Sequence, residues 1–179
     1  MTPWFFGYGS LVNRATQSYP QTQAARLNGW RRVWVRTEVR DVVFLSIHPS
    51  PGHSIDGLIA AVPNADWAAL DLRETGYARR DVSGQITHNA PASDIAAYQV
   101  PVQDQRVGGA HHILLSYLDV VVQGFANEFG PAGAEAFFAT TDGWDTPVLD
   151  DRAQPLYPRA QTLNPQERAL TDRLLAQVQ

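Results

Sequence analysis

The residues best suited to chemistry are a carboxylate and a loop that lie far apart in the chain. Glu74 sits in Leu70-Asp71-Leu72-Arg73-Glu74-Thr75-Gly76-Tyr77, a pattern that places it at the C-terminal end of a short helix. There the negative end of the helix dipole disfavours the ionised form and raises the pKa, which suits a general base. An ordinary surface glutamate paired with Arg73, Arg79 or Arg80 gives the same local pattern. The loop is Tyr8-Gly9-Ser10-Leu11, where glycine and serine follow an apolar strand. Its backbone N–H groups can cradle a carboxylate, although a tight structural turn has the same composition.

Other chemistries fit less well. Gly7-Tyr8-Gly9-Ser10-Leu11-Val12 has two glycines of a dinucleotide fingerprint but valine at the third position, with no clear helix or ribose-binding acid behind it. Ser10 lacks the flanking glycines of a nucleophile elbow. The absence of cysteine excludes disulfides, thiolate metal sites and a cysteine nucleophile. His111 and His112 are adjacent and point apart, and His48 and His53 straddle a turn without an acid cluster, so a metal site is not expected. Asp142, Asp145, Asp150 and Asp151 match no calcium-loop spacing and suit solvated or turn-capping roles.

The elements that must position these residues change character along the chain. Trp4-Phe5-Phe6 is a buried strand, Arg31 to Val39 alternates like a half-buried one, and Val42 to Ile47 and Asp56 to Val62 add two more around the turn Pro49-Ser50-Pro51-Gly52. Asn64 is the expected N-cap of the Glu74 helix, with Gly76 beyond its end. Tyr77 to Gln85 and Tyr98 to Val102 are further strands. From His111 to Phe129 the spacing is helical, Gly130-Pro131 interrupts it, and a second helix runs to about Thr140. An irregular stretch rich in proline follows, and Asn164-Pro165-Gln166-Glu167 opens a terminal helix with Leu170, Leu174 and Val178 on one stripe. Strands first and helices last predict an α+β fold.

Taken together, these segments resemble the γ-glutamylcyclotransferase-like family. Phe6-Gly7-Tyr8-Gly9-Ser10-Leu11 is similar to its [FY]-x-Y-G-S-L signature, Gly29-Trp30-Arg31-Arg32 to its GW/GYRR stretch, and Leu70-Asp71 with Glu74, Tyr77, Arg79 and Val82 to its acid-bearing segment. Ser116 to Asp119 and Thr141 to Arg159 look like the helical tail of some bacterial members. The family's tyrosine often lies four residues after the acid, whereas Tyr77 lies three after Glu74.

The resemblance implies a small mixed β-barrel with flanking, mostly C-terminal helices. It implies cyclisation of a γ-glutamyl amide or peptide to 5-oxoproline, with release of an amine. Glu74 would be the acid/base, Tyr8, Gly9, Ser10, Leu11 and Tyr77 would bind substrate, and no cofactor or metal would be needed. A carboxylate-binding module without catalysis and a γ-glutamyl amidohydrolase are the alternatives, and an interaction role for Trp30, Trp34 and Trp144 is less expected than a core one.

Length and composition set the remaining bounds. At 179 residues, one domain over 1–179 is expected, with 141–179 as a wrapping tail and terminal helix. A hydrophobic share of 44% against 18% charged is that of a globular protein. A net charge of -4, spread along the chain, makes nucleic acid an unexpected partner. The N-terminus has no basic leader and the apolar run from Ile113 to Val122 is too short to span a bilayer, so neither membrane nor secretion is expected and a cytoplasmic location is. Oligomeric state is open.

Overall fold

The computed structural model describes residues 2–179. In chain order the strands are β1 (Trp4–Gly7), β2 (Gln23–Thr37), β3 (Phe44–Ala61), β4 (Ala78–Asp81), β5 (Ile86–Thr87), β6 (Ile95–Gln99), β7 (Gln105–Arg106), β8 (Ile113–Leu114), β9 (Thr141–Asp142) and β10 (Val148–Leu149). The helices are α1 (Ala68–Arg73), α2 (Leu115–Ala139) and α3 (Pro165–Leu175). The main sheet has the order β4-β6-β1-β3-β2-β5, with β7 and β9 also paired to β2. It curls into a half-barrel, and the α+β class expected from the sequence holds.

The central position of β1 explains its composition. It pairs antiparallel with β3 and parallel with β6, and all four of its residues are buried. Alternation sends Trp4 and Phe6 into the main core with Phe125 and Phe137 of α2, and Phe5 into a second cluster with Leu70 of α1 and Tyr98 of β6. A strand covered on both faces reads as a continuous apolar run, and burial of each such side chain contributes about 1.5–3 kcal/mol. Trp30, Trp34 and Trp144 are buried, as a core role requires.

Several element boundaries differ from the sequence reading. The turn signal at Pro49-Ser50-Pro51-Gly52 does not separate two strands; it is a bulge within the single strand β3, where residues 50–53 face Gly29 alone on β2. Cross-strand pairing continues on both sides of it, and Gly29 and Gly52 both take positive φ. Strand β2 starts earlier than Arg31 and ends at Thr37. Asn64 is not an N-cap: it lies in a 3₁₀ turn with φ 55°, and Asp66 accepts instead from the N–H of Ala68 at 2.8 Å. The stretch predicted as a strand to Gln85 stops at Asp81, where Asp81 accepts from Ser83 and turns the chain. Strand β6 spans Ile95–Gln99, earlier than the predicted Tyr98 start.

The C-terminal elements follow their punctuation closely. Helix α2 begins at Leu115, not His111, and breaks at Gly130 (φ 73°) before Pro131 restarts it. Asn164 and Glu167 form a reciprocal capping box at α3, with bonds of 2.9 and 2.8 Å. The intervening tail is fastened to the start of α2. Asp151 accepts from the N–H and hydroxyl of Ser116 and from the N–H of Leu156, while Arg152 grips Asp119 with two bonds of 2.7 Å and reaches Asp172 of α3. Among the described residues, no helix is long and apolar enough to cross a membrane.

Candidate active site

Strand β1 delivers the Tyr8 to Leu11 loop to one end of the sheet, and α1 delivers Glu74 opposite it. Leu70, buried beneath Phe5 and Tyr98, fixes the helix so that its C-cap residue Glu74 faces the loop. A 3₁₀ turn over Ser10–Val12 uses the N–H groups of Val12 and Asn13, bonded to Gly9 and Ser10 at 3.0 and 3.1 Å; the N–H groups of Ser10 and Leu11 precede its first bond. A cleft opens between these parts, lined at its narrow deep end by Tyr8, Gly9, Ser10, Leu11, Glu74 and Tyr77. All six residues singled out in the sequence thus meet at one place.

The hydroxyl groups of the site are largely committed to the protein. Tyr8 donates to the carbonyl of Tyr98 at 2.5 Å, and Tyr77 donates to the carbonyl of Leu45 at 2.9 Å. The Tyr77 ring also stacks on Phe44, with centroids 5.4 Å apart. Burial raises both phenols well above their ordinary range, so they stay protonated at neutral pH. With its one proton given to Leu45, Tyr77 meets the cleft as an acceptor and an aromatic wall.

Glu74 is held in a different way. Its side chain retains only 18% exposure, and Arg73 lies alongside with Nε 3.4 Å from Oε1. Arg73 is itself anchored, donating to the carbonyl and hydroxyl of Thr16 at 2.9 and 3.2 Å. Burial pushes the Glu74 carboxyl above the usual glutamate range, and Arg73, Arg159 and Arg40 pull it part of the way back. The upward shift expected from the sequence is present, but its leading cause is desolvation; the helix behind Glu74 has only six residues. The ion pair with Arg73 exists too, inside a cleft and not on a solvated face.

Two residues that the sequence reading left unassigned shape the loop. Tyr117 of α2 lines the cleft beside Ser10, with its buried phenol oxygen close against the loop. A Cβ on Gly9 would fall 2.7 Å from that oxygen, which explains the glycine there. Behind the loop lies Arg32, only 1% exposed. It donates to the carbonyl of Tyr8 at 2.8 Å, to the Thr140 hydroxyl at 2.8 Å and to the carbonyl of Asp56. Its guanidinium lies 4.7 and 5.1 Å from the ring centroids of Phe125 and Phe137. Burial lowers its pKa to about 9, which still leaves a cation at neutral pH. The second arginine of the Gly29-Trp30-Arg31-Arg32 stretch therefore braces the loop from inside the core.

Beyond Glu74 the cleft widens to about 470 Å³, between residues 40–45, the end of α1 and residues 156–159 of the tail. This tail segment, whose role the sequence did not reveal, is the outer wall. Its fastening through Asp151 and Arg152 holds it there. Among the described residues no group of three or more His, Asp or Glu side chains is arranged to hold a metal ion. His48 instead pairs with Asp142 at 2.9 Å.

A half-barrel with a carboxylate opposite a glycine-serine loop defines a class, and comparison with known proteins agrees. Residues 5–115 match the family described as Gamma-glutamyl cyclotransferase, AIG2-like. That is more than half of the chain, and the chain belongs to this family. A solved structure named Gamma-glutamyl cyclotransferase superposes with a TM-score of 0.59 at 14% identity, covering 97% of this chain and 99% of the other. The uncharacterized protein loc79017 from Homo sapiens gives 0.58 at 15%, with 96% and 98% covered. YkqA from Bacillus subtilis gives 0.59 at 15%, with 79% of this chain and 56% of its own covered. At these identities the likeness establishes the fold. A search of curated protein sequences finds no match.

Proposed function

We propose that the protein cyclises γ-glutamyl amides to 5-oxoproline and a free amine, with Glu74 as the base that starts the reaction and the acid that ends it. The observation that carries this reading is the meeting, in one cleft of a member of this family, of a desolvated carboxylate with the backbone loop at the end of β1. The substrate's α-ammonium gives a proton to Glu74, and the freed amine attacks the γ-carbonyl carbon of the same molecule. A C–N bond forms in the five-membered ring and the original amide C–N bond breaks. Glu74 returns that proton to the departing nitrogen; the second proton, shed by the ring nitrogen as it becomes an amide, passes to the released amine, which leaves as an ammonium, and no water is consumed.

A carboxylate whose pKa lies above the usual range is matched to both halves of this cycle. Because nucleophile and electrophile share one molecule, the remaining task is to hold it folded. Backbone N–H groups of the Tyr8 to Leu11 loop would grip the α-carboxylate. Tyr77, its own proton committed, would accept from the ammonium and wall the ring. The test is to incubate the pure protein with a panel of γ-glutamyl dipeptides and γ-glutamyl amines and to assay the products by mass. Formation of 5-oxoproline is expected. Release of free glutamate would indicate hydrolysis instead, and binding without turnover a non-catalytic module.

A further inference from the structure

The wide outer part of the cleft has a chemistry unlike that of its deep end. Its lining holds Arg40, Arg73 and Arg159 against Glu74 as the one carboxylate, an excess of positive charge in a chain whose net charge is -4. Arg73 is occupied by Glu74 and Thr16. Arg40 and Arg159 form no salt bridge among the described residues, acting on Glu74 only from a distance, and both are exposed at the cleft rim. Between them the walls are apolar: Phe44, Leu72, Leu156 and Pro158, with Arg40 5.9 Å from the centre of the Phe44 ring. Leu72 and Leu156 are 77% and 60% exposed, so the chamber offers apolar surface to whatever enters it.

The geometry leaves little choice about what enters here. If the γ-glutamyl unit occupies the deep end, the group on the far side of the scissile bond extends past Glu74 into this chamber. We propose that the outer chamber is the leaving-amine subsite and that Arg40 and Arg159 select amines bearing a free carboxylate on an apolar body, favouring γ-glutamyl derivatives of apolar amino acids over uncharged or cationic γ-glutamyl amines. The inference rests on the cyclotransferase reading above. Guanidinium groups pair well with carboxylates, and an amine without one would leave two cations facing apolar surface.

The experiment compares γ-glutamyl-leucine with γ-glutamyl-leucinamide, which differ only in the terminal charge, on the parent protein and on R40Q/R159Q. Formation of 5-oxoproline is the readout, and a melting curve checks each variant. The parent is expected to prefer the acid by about tenfold in kcat/KM, mostly through KM, a difference worth about 1.4 kcal/mol. The double variant is expected to lose on the acid alone, bringing the two substrates within about twofold of each other. Equal kcat/KM values on the parent overturn the subsite, with the cyclotransferase reading intact. Equal losses on both substrates in the variant also overturn it, since the arginines would then act only through Glu74. No 5-oxoproline from either substrate or from the wider γ-glutamyl panel removes the cyclotransferase reading and this inference with it.

Discussion

The two ends of the cleft are built on opposite plans. The deep end comes from a short contiguous loop braced by buried groups: Arg32 behind it, Tyr117 beside it, and Tyr8 tied to the next strand. The outer chamber is assembled from three segments far apart in sequence, residues 40–45, 72–77 and 156–159, with Arg40, Leu72, Leu156 and Arg159 exposed at its rim. Rigidity belongs where a reacting group must be held to within a fraction of an ångström, and exposed side chains suffice where a substrate need only be chosen. The difference teaches that the reaction and its selectivity are physically separable here, with Glu74 at the boundary.

The sharpest way to break that contrast is to remove the brace. Arg32→Met would leave the carbonyls of Tyr8 and Asp56 and the Thr140 hydroxyl without their donor. The expected cost is about 3 kcal/mol or more, measured by denaturant unfolding, with loss of turnover in whatever protein remains folded. Gly9→Ala should spare the fold but displace the Tyr117 oxygen, 2.7 Å from the new methyl group. A drop of about 10²-fold in kcat/KM is expected, since a misplacement of about 1 Å costs that much. A Gly9→Ala protein with parental kinetics would show that the loop needs no such fit.

At the boundary, Arg73→Gln removes a charge that lowers the Glu74 pKa, so that pKa should rise further. The base form would then be lost at a higher pH. The acidic limb of kcat/KM is expected to move upward in pH, with little change on the plateau. The smallest effect is that of the outer arginines, a preference of about tenfold between two leaving groups.

How much of this was legible in the sequence follows the same division. The loop and Glu74 are identifiable because each depends on local composition, and α3 because Asn164, Pro165 and Glu167 cap it within a few residues. The bulge in β3 was mistaken for a turn because prolines and glycine mark both, and only the partner strand β2 decides between them. The cause of the Glu74 shift was misattributed to the helix dipole because burial is a tertiary property. Arg32 and Arg159 were inaccessible for the same reason: one arginine is in the core and the other at a rim, and no local pattern tells them apart.

Glu74→Gln tests the central claim most directly, because it keeps the shape and removes the proton acceptor. The folded-state pKa of Glu74 is raised above its ordinary value of 4.5, so its contribution to stability is fully present below that pH and is lost as pH rises through the raised value. At neutral pH the buried carboxylate is therefore a burden, and the variant should melt no lower than the parent. Its rate of 5-oxoproline formation should fall by about 10²-fold to 10⁴-fold. A well-folded Glu74→Gln protein that releases 5-oxoproline at the parental rate would contradict the account.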